Sequence, residues 1–453
     1  MSSLPDRAVR ALEDRLADEQ RHSRLPSVVA GVVREGVLAW SGAAGKVDGA
    51  APTPRTQYRI GSITKTFVGL SVLRLVESGR VDLDDRVTDH VPDAPVGRAT
   101  LLQLLAHASG LRAETAGPWW ERTAGGDWNV LLAQLQAPTT PHRAGHRHHY
   151  SNVGYAVLGR LLEGAHGRPW HEVVHRDWLG PLDLTDTTAR PRPPFAPGLA
   201  VHPWADTVLP EPEHDAGAMA PAGQLWAPLA DLARWAAFLA GDGEGLLDPA
   251  LLDAARRPVV VDDRPGQPWR SAAGLSLQVF DDGTGRRSFG HGGSMPGFLA
   301  LLRVDADSGD GAVVMTNTTA GLDGAIAADL LGLLAREAPR RRPAWTPGGV
   351  AADALALTGV WYWGPTPVSV TALGNDTLRL EAVRGVARSS RFRRRPDGGW
   401  EGLDGYYAGE VLRPATADDG TVRWFDLASF VFTRMPYDAD ADVPGGVAAE
   451  GWR

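Results

Sequence analysis

Ser62 and Lys65 stand three residues apart in the run Gly61-Ser62-Ile63-Thr64-Lys65. On a helix that spacing puts a hydroxyl and an amine on one face, where the amine can take the hydroxyl's proton. The run opens an apolar stretch over 66–78, closed by Gly79. A helix start carries free N–H groups and partial positive charge, and both stabilise an oxyanion forming there. The chemistry this pair allows is acyl transfer through a serine ester. A helix cap followed by a surface lysine would leave the same pattern, so the pair alone does not decide.

Two more short runs follow in order. Tyr150-Ser151-Asn152 ends a basic, histidine-rich loop at 142–150 and opens a helix. His291-Gly292-Gly293, just before Ser294, starts a predicted hairpin. Each also reads as an ordinary cap or turn when taken singly. His142, His146, His148 and His149 suggest a metal cluster by number. They lack a helical i, i+4 pair with an acidic partner, which favours a solvated loop and no metal.

The elements that must hold these residues can be read around them. A hairpin is predicted over 26–40, and the helix after Ser62 is apolar nearly all round, as a buried helix is. Helices are predicted at 101–107, 128–136, 152–164, 170–178 and 228–239. Strands follow at 274–280, 287–290, 299–305 and 312–317, then a helix at 324–336. Strands, a helical insert, strands and a closing helix predict an α/β domain at 1–337. Its antiparallel sheet is flanked by helices, and an all-helical subdomain occupies about 80–240. A Pro-, Gly- and Arg-rich linker spans 338–352. From 353 to 453 short strands alternate with turn signals, which predicts a separate β-barrel or sandwich.

Composition narrows the classes. The chain has 453 residues, 46 basic and 54 acidic, for a net charge of −8. That balance argues against a nucleic-acid binder. It has no cysteine, which excludes thiol catalysis, disulfides and Cys-bound zinc. Residues 1–24 are charged and helix-like and lack the apolar core of a secretory signal, and no apolar run is long enough to span a membrane. The expected location is the cytoplasm.

With the three runs in this order, the chain resembles the penicillin-binding-protein-like serine hydrolases. That family takes in class C β-lactamases, D,D-peptidases, D-aminopeptidases and related esterases. His107-Ala108-Ser109-Gly110-Leu111, Gly180-Pro181-Leu182-Asp183-Leu184, Ala222-Gly223-Gln224-Leu225 and Gly297-Phe298 add to the likeness, which covers about 20–337. The resemblance implies that Ser62 is the nucleophile and that Lys65 holds or removes its proton. It implies that Tyr150 relays a proton to the leaving group, and that Asn152 braces Lys65 and donates to a substrate carbonyl. The backbone N–H groups of Ser62 and Ser294 would form the oxyanion hole, with Gly292 and Gly293 beside the substrate. His291 departs from the lysine that many β-lactamases carry there. It implies recognition of a substrate carboxylate, or orientation of Tyr150, by a charge titrating near neutral pH. No cofactor is implied.

A domain of this family followed by a lipocalin-like barrel resembles the stand-alone thioesterases of non-ribosomal peptide pathways. Trp361-Tyr362-Trp363-Gly364-Pro365 and Phe432-Thr433-Arg434-Met435-Pro436-Tyr437 carry that likeness. It implies a peptidyl thioester donor with a D-configured end, delivered by a carrier protein and cyclised head to tail. Arg434 would hold the carboxylate of the incoming strand. The alternatives are a D-aminopeptidase, D,D-carboxypeptidase, esterase or weak β-lactamase, or a non-catalytic peptide-binding member.

Overall fold

The computed structural model describes residues 4–135, 139–243, 245–340, 344–374, 376–385, 388–417 and 420–447. The end of the predicted helix at 136, the linker arginines 341 and 342, and the turn residues 375, 418 and 419 lie outside them. The chain divides into two compact units, Met1–Arg340 and Arg341–Arg453. Among the described residues no helix is long and apolar enough to cross a membrane.

In the first unit, α1 (Asp6–His22) precedes a hairpin of β1 (Ser27–Arg34) and β2 (Val37–Gly45). The principal helices that follow are α2 (Thr64–Glu77), α3 (Asn152–His166) and α4 (Leu229–Ala240). Strands return as β3 (Val260–Val261), β4 (Ser271–Ala273), β5 (Gln278–Asp281), β6 (Arg287–Met295), β7 (Phe298–Asp305) and β8 (Gly311–Thr316), and α5 (Ile326–Glu337) closes the unit. They form one eight-stranded sheet in the order β2–β1–β8–β7–β6–β5–β4–β3. Every pairing in it is antiparallel.

Strand β1 is apolar at successive positions because both faces of the sheet are covered. Val28, Ala30 and Val32 pack with Leu12 and Leu16 of α1 and Leu330 and Leu334 of α5. Val29 and Val33 turn the other way, into the core that holds Phe67 of α2 and Trp235 of α4. β8 repeats the division, with Ala312 and Val314 on one side and Val313 and Met315 on the other.

Helix α2 is buried on nearly every side, as its composition predicts. Its polar side chains are partnered. Trp235 donates to Thr66 at 2.9 Å and Trp178 donates to Ser71 at 2.8 Å. Short helices and α3 build the layer between α2 and the solvent. The 190–221 stretch, unreadable from sequence, holds a small ladder of Leu199–Val201 with Val208–Pro210 and a 3-10 turn, Gly217–Ala222.

In the second unit a short helix, Ala352–Leu357, leads into eight strands that close as a barrel. They are β9 (Gly359–Trp363), β10 (Thr366–Ala372), β11 (Thr377–Ala382), β12 (Ser390–Arg394), β13 (Trp400–Gly402), β14 (Val411–Thr416), β15 (Val422–Leu427) and β16 (Phe430–Thr433). Closure comes from Tyr362 opposite Thr433. Trp361, Phe392, Trp400, Phe425 and Phe432 fill the interior. Trp361 donates its indole N–H to Leu357 O at 2.7 Å. Arg434 lies 3.6 Å from the centre of the Trp361 ring and donates to Ala356 O at 2.6 Å and Thr358 O at 3.0 Å. Its guanidinium therefore ties β16 to the end of the short helix.

Trp361→Ala should lower the unfolding free energy of the barrel unit by ~3–5 kcal/mol, through the cavity left behind. Denaturant titration followed by tryptophan fluorescence measures it, and a loss under 1 kcal/mol would show that the ring does not anchor this core.

Candidate active site

Ser62 lies in a 3-10 turn, Gly61–Ile63, and α2 begins two residues later at Thr64. The serine thus precedes the helix and does not cap it, and its side chain is left free for Lys65. The i, i+3 spacing still aligns the two residues, because a 3-10 turn eclipses them. The Lys65 amine sits 2.9 Å from Ser62 Oγ, 2.7 Å from Asn152 Oδ1 and 2.6 Å from Ala222 O. The side chain is fully buried. Burial pushes its pKa down to about 7, against the opposing charges of Glu114 and Glu121.

This geometry fixes the direction of proton flow. A neutral amine has two N–H donors and one lone pair. Ala222 O accepts only, and Asn152 presents its carbonyl oxygen, so those two take the N–H donors. The lone pair then faces the hydroxyl of Ser62.

Asn152 is held by a residue that the sequence did not mark. Its Nδ2 donates to Glu114 Oε1 at 2.6 Å, and Glu114 Oε2 accepts from Trp120 at 2.7 Å. A carboxylate on one side of the amide sets which end faces Lys65. Burial raises the Glu114 pKa. Nothing in the aperiodic 113–127 stretch signals this role except a carboxylate close before Trp120.

Tyr150 directly precedes the helix cap. Ser151 Oγ accepts from Gly154 N at 3.0 Å and donates to Arg112 O at 2.6 Å, which pins the start of α3. The Tyr150 hydroxyl hydrogen-bonds Ser62, and burial raises its pKa further above the usual tyrosine value. The Lys65 amine lies 5.0 Å from its ring centre and 5.5 Å from that of Tyr155.

The third wall is β6. Its neighbour β5 leaves the ladder at Gln278, opposite Gly290. Beyond that point the N–H groups on this edge of β6 have no strand partner among the described residues. Gly292 N donates to Gln278 Oε1 at 3.2 Å. Ser294 N, two residues on, points the same way. It comes against the serine turn. A Cβ on Gly61, at φ 51°, would lie 2.5 Å from Ser294 N, and one on Gly293 would lie 2.0 Å from Ile60 O and 3.3 Å from Ser62 N. Glycine at both positions lets the two backbones approach, and the N–H groups of Ser62 and Ser294 come together.

His291 corrects an expectation. It is buried, and its Nδ1 lies 2.5 Å from Gly292 O, so that nitrogen carries the proton. Burial and the nearby Lys65 push its pKa down to about 3. It stays neutral at physiological pH and supplies no titrating charge for a carboxylate. Its ring centre is 6.2 Å from that of Tyr150. The histidine loop also differs from a freely solvated one. His148 lies 3.4 Å from Asp262, and His142 packs edge-on to His149. Among the described residues no group of three or more His, Asp or Glu side chains is placed to hold a metal ion.

Ser62, Tyr150, Asn152, His291, Gly292, Gly293 and Ser294 line one cleft of about 410 Å³. Gln278, Leu299, Leu301, Leu322 and Glu121 complete much of its wall. Among the described residues that line the cleft there is no lysine or arginine, although the Lys65 amine stands directly behind Ser62. A larger cavity of about 1390 Å³, between Arg160, Trp170 and Pro221, does not include Ser62.

A family model described as Beta-lactamase matches residues 9–337, and one described as a domain of unknown function, DUF7586, matches 350–434. Among curated proteins, Protein flp of Staphylococcus aureus (strain COL) is 30% identical over 142 residues, 30% of this chain and 28% of its own. The chain thus spans little more than a quarter of that relative's length. Among solved structures, a D-stereospecific amidohydrolase from Streptomyces sp. is 28% identical with a TM-score of 0.61, over 72% of this chain and 98% of its own. The structure of SurE is similar over 94% of this chain and 99% of its own, at 23% identity and a TM-score of 0.59.

Labelling of Ser62 by a fluorophosphonate should rise with pH through about 7, as Lys65 loses its proton. Glu114→Gln removes a charge that holds the proton on, so the midpoint should move to lower pH. Stopped-flow or gel-based labelling rates across pH 5–9 read both. A midpoint that stays put in the variant would detach Glu114 from the amine.

Proposed function

This chain belongs to the Beta-lactamase family, and from that premise we propose that it is a serine acyl hydrolase or acyltransferase working through an ester on Ser62. The observation that carries the reading is the buried Lys65 amine, 2.9 Å from Ser62 Oγ with its other donors occupied.

The steps follow from the geometry. Lys65 takes the Ser62 proton as Oγ bonds to the acyl carbon. The N–H groups of Ser62 and Ser294 receive the oxyanion. As the carbonyl re-forms, the bond to the leaving group breaks and Tyr150 gives that group its proton. The Lys65 ammonium stabilises the phenolate left behind. In the second half the phenolate takes a proton from water or an amine attacking the ester, and Lys65 returns its proton to Ser62 Oγ.

The cleft favours a neutral or amine-bearing donor. Glu121 lines it, Glu114 stands behind Asn152, and His291 is neutral. A donor ending in a carboxylate, as a β-lactam or a D,D-peptide does, would meet no cation among the described lining residues, the Lys65 amine behind Ser62 being engaged with the nucleophile. A D-configured acyl residue is supported by the likeness to the D-stereospecific amidohydrolase. One observation favours a narrower reading, a stand-alone thioesterase that closes a non-ribosomal peptidyl thioester head to tail. It is the closed barrel that follows the catalytic unit. In that reading the donor arrives on a carrier protein.

Ser62→Ala should abolish turnover with the fold intact, and Tyr150→Phe should slow acylation ~10²–10⁴-fold. The donor is tested with pairs of peptide N-acetylcysteamine thioesters that differ only in the configuration of the last residue. The D-epimer should be consumed faster, and a cyclase would yield a product one water lighter than the linear acid. Equal rates for the two epimers would remove the D-selective reading, and linear acid alone would remove cyclisation.

A further inference from the structure

The proposed chemistry leaves the His107-Ala108-Ser109-Gly110-Leu111 run without a task, and His107 is its one member with an ionisable side chain. It follows the end of the helix Leu101–Leu105, with Ala108 N bonded back to Gln103 O at 2.7 Å. Its φ is 54°, in the left-handed region. Glycine is the usual residue at such a helix end, so a histidine there calls for a reason in its side chain.

The ring of His107 also lies near those of Tyr155, at 5.2 Å, and His148, at 6.0 Å, but three of its contacts surround Tyr150. Its carbonyl oxygen accepts from His149 N at 2.8 Å. Its Nδ1 accepts from Ser151 N at 3.1 Å. Its ring stacks on the ring of Tyr150, with centres 4.2 Å apart and planes 29° from parallel. One residue therefore holds the backbone on both sides of Tyr150 and the phenol between them. The Ser151 N–H fixes the tautomer: Nδ1 keeps its lone pair and Nε2 carries the proton. Among the described residues that buried Nε2 has no hydrogen-bond partner.

We propose that His107 is the positioning residue for Tyr150, keeping the phenol in reach of Ser62 by stacking on its ring while it holds the backbone at 149 and 151. It touches no reacting atom, and its effect on turnover rests on the acyl-serine reading above. Two substitutions separate its parts. His107→Asn keeps an acceptor one bond from Cγ and tolerates the left-handed backbone, but removes the ring. His107→Phe keeps a ring and removes the acceptor.

The test uses the full chain labelled with ¹³C-tyrosine, with the Tyr150 ring resonance assigned by its loss in Tyr150→Phe. His107→Asn should move that resonance, because the ring current of the imidazole is gone. It should also slow fluorophosphonate labelling of Ser62 roughly tenfold to a hundredfold, as a displaced catalytic group does. The melting temperature should change little. His107→Phe should keep the labelling rate within about threefold and lower the melting temperature, since the Ser151 N–H loses its acceptor. In a Tyr150→Phe background, His107→Asn should cost no further rate. An unmoved Tyr150 resonance with wild-type labelling in His107→Asn would overturn the proposal. So would an equal rate loss with and without the Tyr150 hydroxyl. Loss of folding in both variants would assign His107 to stability alone and overturn it too. If the wild-type chain does not label, the acyl-serine reading falls and the ring resonance alone judges the clamp.

Discussion

A lysine amine held away from water among three oxygen atoms is the constraint on which the rest of the catalytic unit depends. Full burial of Lys65 disfavours its charged form and brings its pKa to about 7. Such an amine is usable as a base only if its lone pair is directed. Ala222 O and Asn152 Oδ1 direct it by occupying the N–H donors. Those acceptors come from a 3-10 turn and from the first residue of α3, while the amine comes from α2. The three elements have to meet within hydrogen-bonding distance. The apolar surface of α2, packed on both α3 and the sheet layer, brings them there.

The same burial sets the electrostatics of the cleft. His291 is neutral because it is desolvated beside Lys65, so the strand that carries it contributes shape and N–H groups and no charge. Glu114 works in the opposite sense, holding Asn152 in one orientation while raising the proton affinity of Lys65. A base near neutrality thus results from two opposed effects, desolvation by the core and a carboxylate one amide away. Tyr150 completes the set. Burial keeps its proton on at neutral pH, and the amine beside its ring is placed to stabilise the anion formed when that proton leaves.

How much of this was legible depended on how local the signal was. Ser62 and Lys65 were readable because their contact is made within one turn of chain. Tyr150 and Asn152 were readable because they flank a serine cap, a local signature at the start of an apolar helix. The eight short strands of the barrel announced themselves through alternating apolar residues and turn residues between them. Glu114 was not legible, since it sits in an irregular stretch and matters only through Asn152 and Trp120. Ala222 contributes a main-chain oxygen, which leaves no mark on residue type. His291 was placed correctly in the cleft, but its charge state was misread, because desolvation is a property of neighbours. The contacts of Arg434 with the Trp361 face and the carbonyls of Ala356 and Thr358 were not legible, because they depend on how the strand meets the short helix.

The sequence by itself determined which side chains are present for acyl transfer, their order along the chain, and the two-part organisation around them. Those follow from spacing, period and turn chemistry, all of which act over a few residues. The tertiary structure decided the rest. It set which end of Asn152 faces the amine, where β5 stops and leaves the Ser294 N–H open, and how closely Gly61 and Gly293 let the two backbones pass. It also set how far burial moves Lys65 and His291. Each of these depends on distances between segments many residues apart, and no local pattern encodes them.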